Sequence, residues 1–135
     1  MDQPDSLRIA LQFVEHINRH DVEAMCVLMT EDHRFVDGLG NEVRGRDNMR
    51  EPWRTYFAWF PDYTIIVEYS FERGDAAALI GNARGTYAVQ GDLDPARQWE
   101  IPAAWLAVVR EGLVAEWRVY ADNEPVWKVM GVTRY

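Results

Sequence analysis

The chain has 135 residues and one cysteine, and its formal net charge at pH 7 is −8. This length suits one domain, a single cysteine excludes an internal disulfide and a multi-cysteine zinc site, and the acidic charge disfavours nucleic acid. There is no bilayer-length apolar run and no signal-peptide pattern. We therefore expect a single cytoplasmic domain, residues 1–135, without nucleic-acid or membrane partners.

Three helices are predicted in the first half of the chain. Apolar residues recur at helical spacing over residues 5–19, and a shorter helix follows over about residues 22–30. The third helix covers residues 45–61, where Pro52 either interrupts it or starts the regular helix after an irregular first turn. Between the second and third helices, residues 33–38 form a predicted strand that ends in a turn.

Four long strand-like runs follow Pro61. They read YTIIVEYSFE, AAALIGNARGTYAV, QWEIPAAWLAVVR and LVAEWRVY. The connections ERGD and REG are short enough for hairpin turns, and PVWKVMGV is consistent with a short final helix. Helices followed by an antiparallel meander predict an α+β fold with the helices on one face of a curved sheet.

Three strings resemble the nuclear-transport-factor-2-like superfamily, in particular its SnoaL-like branch. They are INRHDVEAM, FVDGLGNEVRGRDNMREPW and EGLVAEWRVYADNEP. The resemblance implies a cone-shaped, curved antiparallel sheet with three N-terminal helices packed on its concave face around a hydrophobic cavity. It also implies a homodimer formed through the other face of the sheet. This fold hosts isomerases, cyclases, dehydratases, epoxide hydrolases and non-enzymes, so it does not select one activity.

Ketosteroid isomerases of this superfamily provide one set of candidate residues. They move a proton with an aspartate at the end of the first strand, and Asp37 in FVDG matches that position. Their oxyanion-binding tyrosine and protonated aspartate correspond to Phe13 and about Trp105. The resemblance therefore implies that this chain keeps the catalytic base of the ketosteroid isomerases, as Asp37, and lacks their two oxyanion-binding residues.

Two other branches point to the end of the last strand. Limonene epoxide hydrolases activate water with an Asp–Arg–Asp triad, of which Asp122 and Arg84 match two members and Thr86 replaces the third. Polyketide cyclases of the SnoaL type use one aspartate near the same final position, again Asp122. The resemblance thus makes Asp122, Asp37 and Arg84 the candidate catalytic residues.

The string EWRVYADNEP raises a question of orientation. Arg118, Tyr120 and Asp122 alternate with apolar residues and share one face of the predicted strand. If that face turns toward the cavity, desolvation would raise the pKa of Asp122 and make it a general base. The alternative is an exposed carboxylate in the turn DNEP, just as Asp37 could be an ordinary turn residue.

The remaining candidates would bind or orient the substrate rather than react with it. Aromatic residues at helical spacing on the third helix could form both core and cavity roof. Arg84 and Tyr120 would orient the substrate, and the predicted substrate-binding set is Tyr120, Trp53, Tyr56, Phe13, Trp105 and Thr86.

Metal and anion sites have weaker support in the sequence. His16 and His20 have a metal-compatible spacing, but no third ligand is evident, and His33 is expected at the surface. The arginines between residues 44 and 54 are either a carboxylate-binding patch or a solvated helix face. We therefore expect neither a metal nor a cofactor.

These observations predict a cofactor-free acid–base enzyme that acts on a small hydrophobic carbonyl compound as an isomerase or polyketide-type cyclase. The alternatives are a water-activating hydrolase of the epoxide-hydrolase type and a non-catalytic protein that binds a small ligand.

Overall fold

The computed structural model describes residues 5–131 of the chain. Residues 1–4 and 132–135 of the predicted domain, including the end of the predicted final helix, lie outside the described residues. The helices are α1 (Ser6–Asn18), α2 (Val22–Val27), α3 (Arg50–Trp59) and α4 (Glu124–Met130). The strands are β1 (Met29–Val36), β2 (Glu42–Arg44), β3 (Thr64–Arg73), β4 (Ala76–Thr86), β5 (Gln98–Arg110) and β6 (Leu113–Ala121).

The six strands form one open sheet in the order β2-β1-β6-β5-β4-β3. This confirms the α+β class and the antiparallel meander from β3 to β6. The sheet is nevertheless mixed, because β1 pairs with β6 in parallel. The chain crosses through α3 to the far edge of the sheet and returns strand by strand, so β6 arrives beside β1.

Helix α1 packs across β3, β4, β5 and β6. It buries one apolar stripe, which includes Ile9, Phe13 and Ile17, and Phe13 lies against Trp117 of β6 with ring centroids 4.9 Å apart. The hydrophobic core therefore lies between the helices and one face of the sheet. No helix within residues 5–131 is long and apolar enough to cross a membrane.

Helix α3 begins after a short 3-10 turn at Arg46–Asn48. Pro52 is then in the first turn of α3, where the backbone N–H that proline lacks would have no acceptor within the helix. An irregular turn precedes the helix as expected, but the regular helix begins at Arg50, two residues before Pro52.

The boundary between α2 and β1 differs from the prediction. The helix ends at Val27 rather than near residue 30, and the strand begins at Met29 because Met29 pairs with Val114 of β6. The short strand β2, which pairs with β1, was not predicted.

The structure also shows where the arginine-rich segment and His33 lie. Arg50 and Arg54 of α3 both bind the Glu23 carboxylate of α2, at 2.8 and 3.0 Å, so this part of the arginine-rich segment is an ion-paired helix surface. The expectation that His33 lies at the surface is wrong. Its side chain is buried, and its Nδ1 is 2.7 Å from the carbonyl oxygen of Val114.

Candidate functional site

A cavity of about 680 Å³ lies between α3, the end of β1 and the face of the sheet that carries the core. Its inner wall is built from buried aromatic and aliphatic side chains of α3, β4, β5 and β6. All six tryptophans of the chain line this cavity: Trp53, Trp59, Trp99, Trp105, Trp117 and Trp127.

The side of the cavity nearest to solvent is formed by the turn after β1 and by one face of α3. Leu39 of that turn and Glu51, Thr55 and Trp59 of α3 are exposed residues that line the cavity. A ligand can therefore reach the aromatic interior between these two segments.

Asp37 lines the cavity at the end of β1. Its carboxylate accepts hydrogen bonds from the backbone N–H groups of Leu39 and Asn41, both at 2.9 Å, and from the Asn41 side-chain amide at 3.2 Å. The turn lies close to the end of β6, since a Cβ on Gly38 would be only 2.7 Å from the carbonyl oxygen of Ala121. These contacts fix the orientation of the carboxylate.

Tyr56 of α3 and Tyr63 both line the cavity. Burial strongly raises the pKa of both, and their hydroxyls share a hydrogen bond that partly offsets the rise for Tyr56 and adds to it for Tyr63. Tyr56 thus stays protonated at neutral pH.

The face of β6 that lines the cavity is the apolar one. Trp117 and Val119 line it together with Ala121, whereas Arg118, Tyr120 and Asp122 do not. The expectation that these three polar residues turn toward the cavity is therefore wrong. The cavity continues the hydrophobic core, so the apolar side chains of the alternating strand face it, and Tyr120 lies on the outer face with 53% of its surface exposed.

Asp122 is an exposed carboxylate at the start of α4. It accepts a hydrogen bond from the backbone N–H of Glu124 at 3.0 Å and lies outside the cavity lining. The structure thus corresponds to the alternative in which Asp122 belongs to the turn DNEP.

Arg84 and Thr86 also lie outside the aromatic cavity, contrary to expectation. They line a separate polar cleft of about 570 Å³ together with Asp62 and Glu100. Thr86 is held there by Asp62, whose carboxylate accepts from the Thr86 hydroxyl at 2.6 Å and from its backbone N–H at 2.7 Å. Asp122 lines neither space, so the three hydrolase-like positions share no pocket.

Of the nine predicted site residues, four line the aromatic cavity: Asp37, Trp53, Tyr56 and Trp105. Phe13 does not; it is fully buried and packs behind Trp117, so it supports the wall from the helix side. Within residues 5–131, no group of three or more His, Cys, Asp or Glu side chains is arranged to hold a metal ion.

The sequence matches the family of SnoaL-like domains over residues 10–117. The chain belongs to the SnoaL-like domain family. A comparison of this SnoaL-like protein with curated proteins gives no match.

Solved structures place the SnoaL-like chain in the cone-shaped fold that the resemblance implied. A proposed SnoaL-like polyketide cyclase from Jannaschia sp. CCS1 is 17% identical, with a TM-score of 0.81 and 99% of each chain covered. IdmH, a proposed polyketide cyclase from Streptomyces antibioticus, is 25% identical, with a TM-score of 0.76 over 94% of this chain and 99% of that chain. AclR, a proposed hydroxylase from Streptomyces galilaeus, is 18% identical, with a TM-score of 0.76 over 97% and 84% of the two chains.

Sequence reasoning missed several lining residues of this SnoaL-like cavity, notably Tyr63, Trp99 and Glu51. Trp99 is separated from Trp105 by six positions on β5, an even spacing that places both side chains on one face of the strand. That spacing was a usable signal. Tyr63 had none, because it lies in the loop between α3 and β3 and meets Tyr56 only in the folded chain, with ring centroids 5.0 Å apart.

Proposed function

We propose that this SnoaL-like protein is a cofactor-free acid–base enzyme that removes a proton next to a carbonyl group of a small hydrophobic substrate. The observation that carries the proposal is the presence of a fixed carboxylate, Asp37, and a protonated hydroxyl, Tyr56, in the lining of one aromatic cavity. A volume of about 680 Å³ is within the usual range for sites that bind small organic molecules.

In the proposed reaction, the Asp37 carboxylate takes a proton from the carbon beside the carbonyl. The electron pair of the broken C–H bond moves onto the carbonyl oxygen, and the resulting enolate accepts a hydrogen bond from the Tyr56 hydroxyl. A donor that is buried and already oriented stabilises such an oxyanion better than water does. Because Tyr56 keeps its proton, it can play this part without changing charge.

Two outcomes are available to the enolate. In an isomerisation, the protonated Asp37 returns its proton to another carbon of the conjugated system. In an aldol-type cyclisation, the enolate carbon bonds to a second carbonyl carbon of the same molecule, and the alkoxide formed takes the proton from Asp37. The likeness to the proposed polyketide cyclase IdmH supports cyclisation of a polyketide-type substrate.

The proposal is tested with 2-tetralone, a flat ketone that has acidic protons beside its carbonyl. We expect the protein to accelerate exchange of these protons in D₂O, followed by NMR, and 2-naphthol, a stable analogue of the enol, to inhibit the exchange. Asp37→Asn should lower the rate by about 100-fold or more, within the usual contribution of a general base. Unchanged exchange in Asp37→Asn would remove the proposed base.

A second candidate is a ligand-binding protein without turnover. The observation in its favour is that the Asp37 carboxylate already accepts three hydrogen bonds within its own turn. Binding of 2-naphthol without any acceleration of exchange by the wild-type protein would favour this candidate. The hydrolase alternative has less support, because Arg84, Thr86 and Asp122 are divided between separate environments.

We also propose that two copies of the chain associate through the outer face of the sheet. Tyr69, Ile80, Ala104 and Tyr120 lie side by side across β3, β4, β5 and β6 on that face. Tyr69 and Tyr120 are more than half exposed in the single chain, at 63% and 53%. A second copy related by a two-fold axis would cover this row of apolar side chains.

A further inference from the structure

The charged groups that line the aromatic cavity are all of one sign. Asp37 and Glu51 are the lining residues that carry charge, and no arginine, lysine or histidine of residues 5–131 lines the cavity. The rest of the lining is dominated by rings, since Phe35, Tyr56 and Tyr63 join the six tryptophans. A ligand in this cavity therefore meets aromatic surfaces and carboxylates, and no positively charged side chain.

The two carboxylates are not equivalent. Glu51 lies 3.1 Å from Arg54, so it has a positively charged neighbour on α3. The carboxylate of Asp37 is satisfied by neutral amide groups alone, and none of the described ion pairs includes it. Asp37 thus leaves a negative charge at the cavity wall that forms no ion pair within residues 5–131.

The aromatic rings of the lining also favour a positively charged ligand. The face of an indole or phenol ring carries a negative partial charge, so a cation placed over it is attracted, and tryptophan gives the strongest interaction. Trp59 has 43% of its surface exposed beside the solvent side of the cavity, while Trp105 is buried at its inner wall. A cation that enters would pass rings at both depths.

We propose that the cavity selects ligands whose apolar body carries a tertiary or quaternary ammonium group, held by tryptophan rings with Asp37 as the counter-charge. Alkyl substituents spread the charge of such a nitrogen and weaken its hydration. Its transfer from water into the cavity therefore costs less hydration free energy than the transfer of a primary ammonium group. An anionic ligand would be disfavoured, because its charge would be desolvated without a cationic partner. This inference names the substrate class for the site of the proposed function and rests on that assignment of the cavity.

The test compares three probes that share a benzyl body and a tetrahedral head group. They are benzyltrimethylammonium, its neutral carbon isostere neopentylbenzene, and the anion phenylmethanesulfonate. Binding is followed by tryptophan fluorescence at 150 mM salt, which screens the overall acidic charge of the protein. We expect the dissociation constant of the cation to be about tenfold or more below that of the neutral isostere, and the anion to bind most weakly.

Two substitutions locate the binding. Trp59→Leu should weaken binding of the cation by about threefold or more with little effect on the neutral probe. Val27→Ala, at an exposed residue of α2 outside the cavity lining, is the control. Asp37→Asn should likewise weaken the cation selectively. Equal or tighter binding of the neutral isostere would overturn the proposal. So would a cation affinity that neither Trp59→Leu nor Asp37→Asn changes, or the absence of binding by all three probes.

Failure of this inference can be separated from failure of the proposed function. If the neutral probe binds best while Asp37-dependent exchange of 2-tetralone persists, the activity stands and the ammonium preference is wrong. If the cation binds selectively while no protein-dependent exchange occurs, the preference stands and the proposed reaction is wrong.

Discussion

Asp37 and Asp122 each follow the last residue of a strand, and each accepts a hydrogen bond from the backbone N–H two positions further on. Only Asp37 lines the cavity. The pairing of the parallel strands β1 and β6 explains the difference, because Val36 is paired with Arg118. Asp37, the residue after β1, is therefore level with Val119 on the cavity face. Asp122 lies three positions after Val119, and this odd spacing places it on the opposite face of the sheet.

Tyr56 allows a test of the oxyanion donor. Tyr56→Phe should lower the rate of 2-tetralone exchange by about 10- to 100-fold, because the enolate loses its hydrogen-bond donor. The change keeps the ring contacts of Tyr56 with Phe60 and Tyr63 but removes the hydrogen-bond partner of the buried Tyr63 hydroxyl, so stability should fall by about 1 to 3 kcal/mol while the fold is retained. NMR exchange rates measured beside Tyr87→Phe, a tyrosine outside the cavity lining, provide the comparison. An unchanged rate in Tyr56→Phe would exclude the hydroxyl as a donor.

His33 predicts how stability depends on pH. Burial lowers its pKa in the folded chain, with the Val114 carbonyl acting in the opposite sense, so the unfolded chain binds the proton more readily. Stability should therefore fall as the pH drops below the ordinary value of about 6.5, by about 1.4 kcal/mol for each unit by which folding lowers the pKa.

The measurement for His33 is the free energy of unfolding in urea between pH 5 and 8. His33→Gln should flatten the profile, and His16→Asn, on the surface of α1, is the control. A wild-type profile with the same slope as that of His33→Gln would contradict this account.

Among the elements, α4 depends on the turn that Asp122 forms. Asp122→Ala removes the hydrogen bond to the Glu124 N–H and should cost about 0.5 to 1.5 kcal/mol of stability, the usual net contribution of one hydrogen bond. The rate of 2-tetralone exchange should not change. Thermal unfolding and the exchange assay are measured on the same preparation. Constant stability together with a lower exchange rate would contradict the structural role of Asp122.

The sequence predicted the long elements well and the short or long-range ones poorly. The four meander strands carry clear patterns, and α1 has a regular apolar stripe. Strand β2 has three residues, too few to show an alternation, and the start of β1 at Met29 depends on pairing with β6, which is distant in the sequence. Such contacts leave no local signal, so the sequence alone could not supply them.

The candidate site was predicted less completely than the fold for a related reason. The alternation along β6 was correct, but the alternation does not tell which face meets the cavity. In this molecule the core and the cavity share one side of the sheet. The polar faces of β4 and β6, which include Arg84 and Tyr120, consequently lie away from the aromatic cavity.

At the scale of the whole molecule, the outer face of the sheet predicts the oligomeric state. We expect a homodimer in sedimentation velocity, and Ile80→Glu, at the centre of the apolar row, should yield a monomer because it would bury an unpaired charge. Val27→Glu, on a helix residue that is 75% exposed, is the control and should remain dimeric. A monomeric wild type would contradict the proposed interface.

The most direct test of the whole account compares the two aspartates in one assay. The rate of 2-tetralone proton exchange is measured for wild type, Asp37→Asn and Asp122→Asn under identical conditions. The account predicts a loss of about 100-fold or more in Asp37→Asn and a rate within about twofold of wild type in Asp122→Asn. A large loss in Asp122→Asn with full activity in Asp37→Asn would place the reaction outside the aromatic cavity and contradict the account.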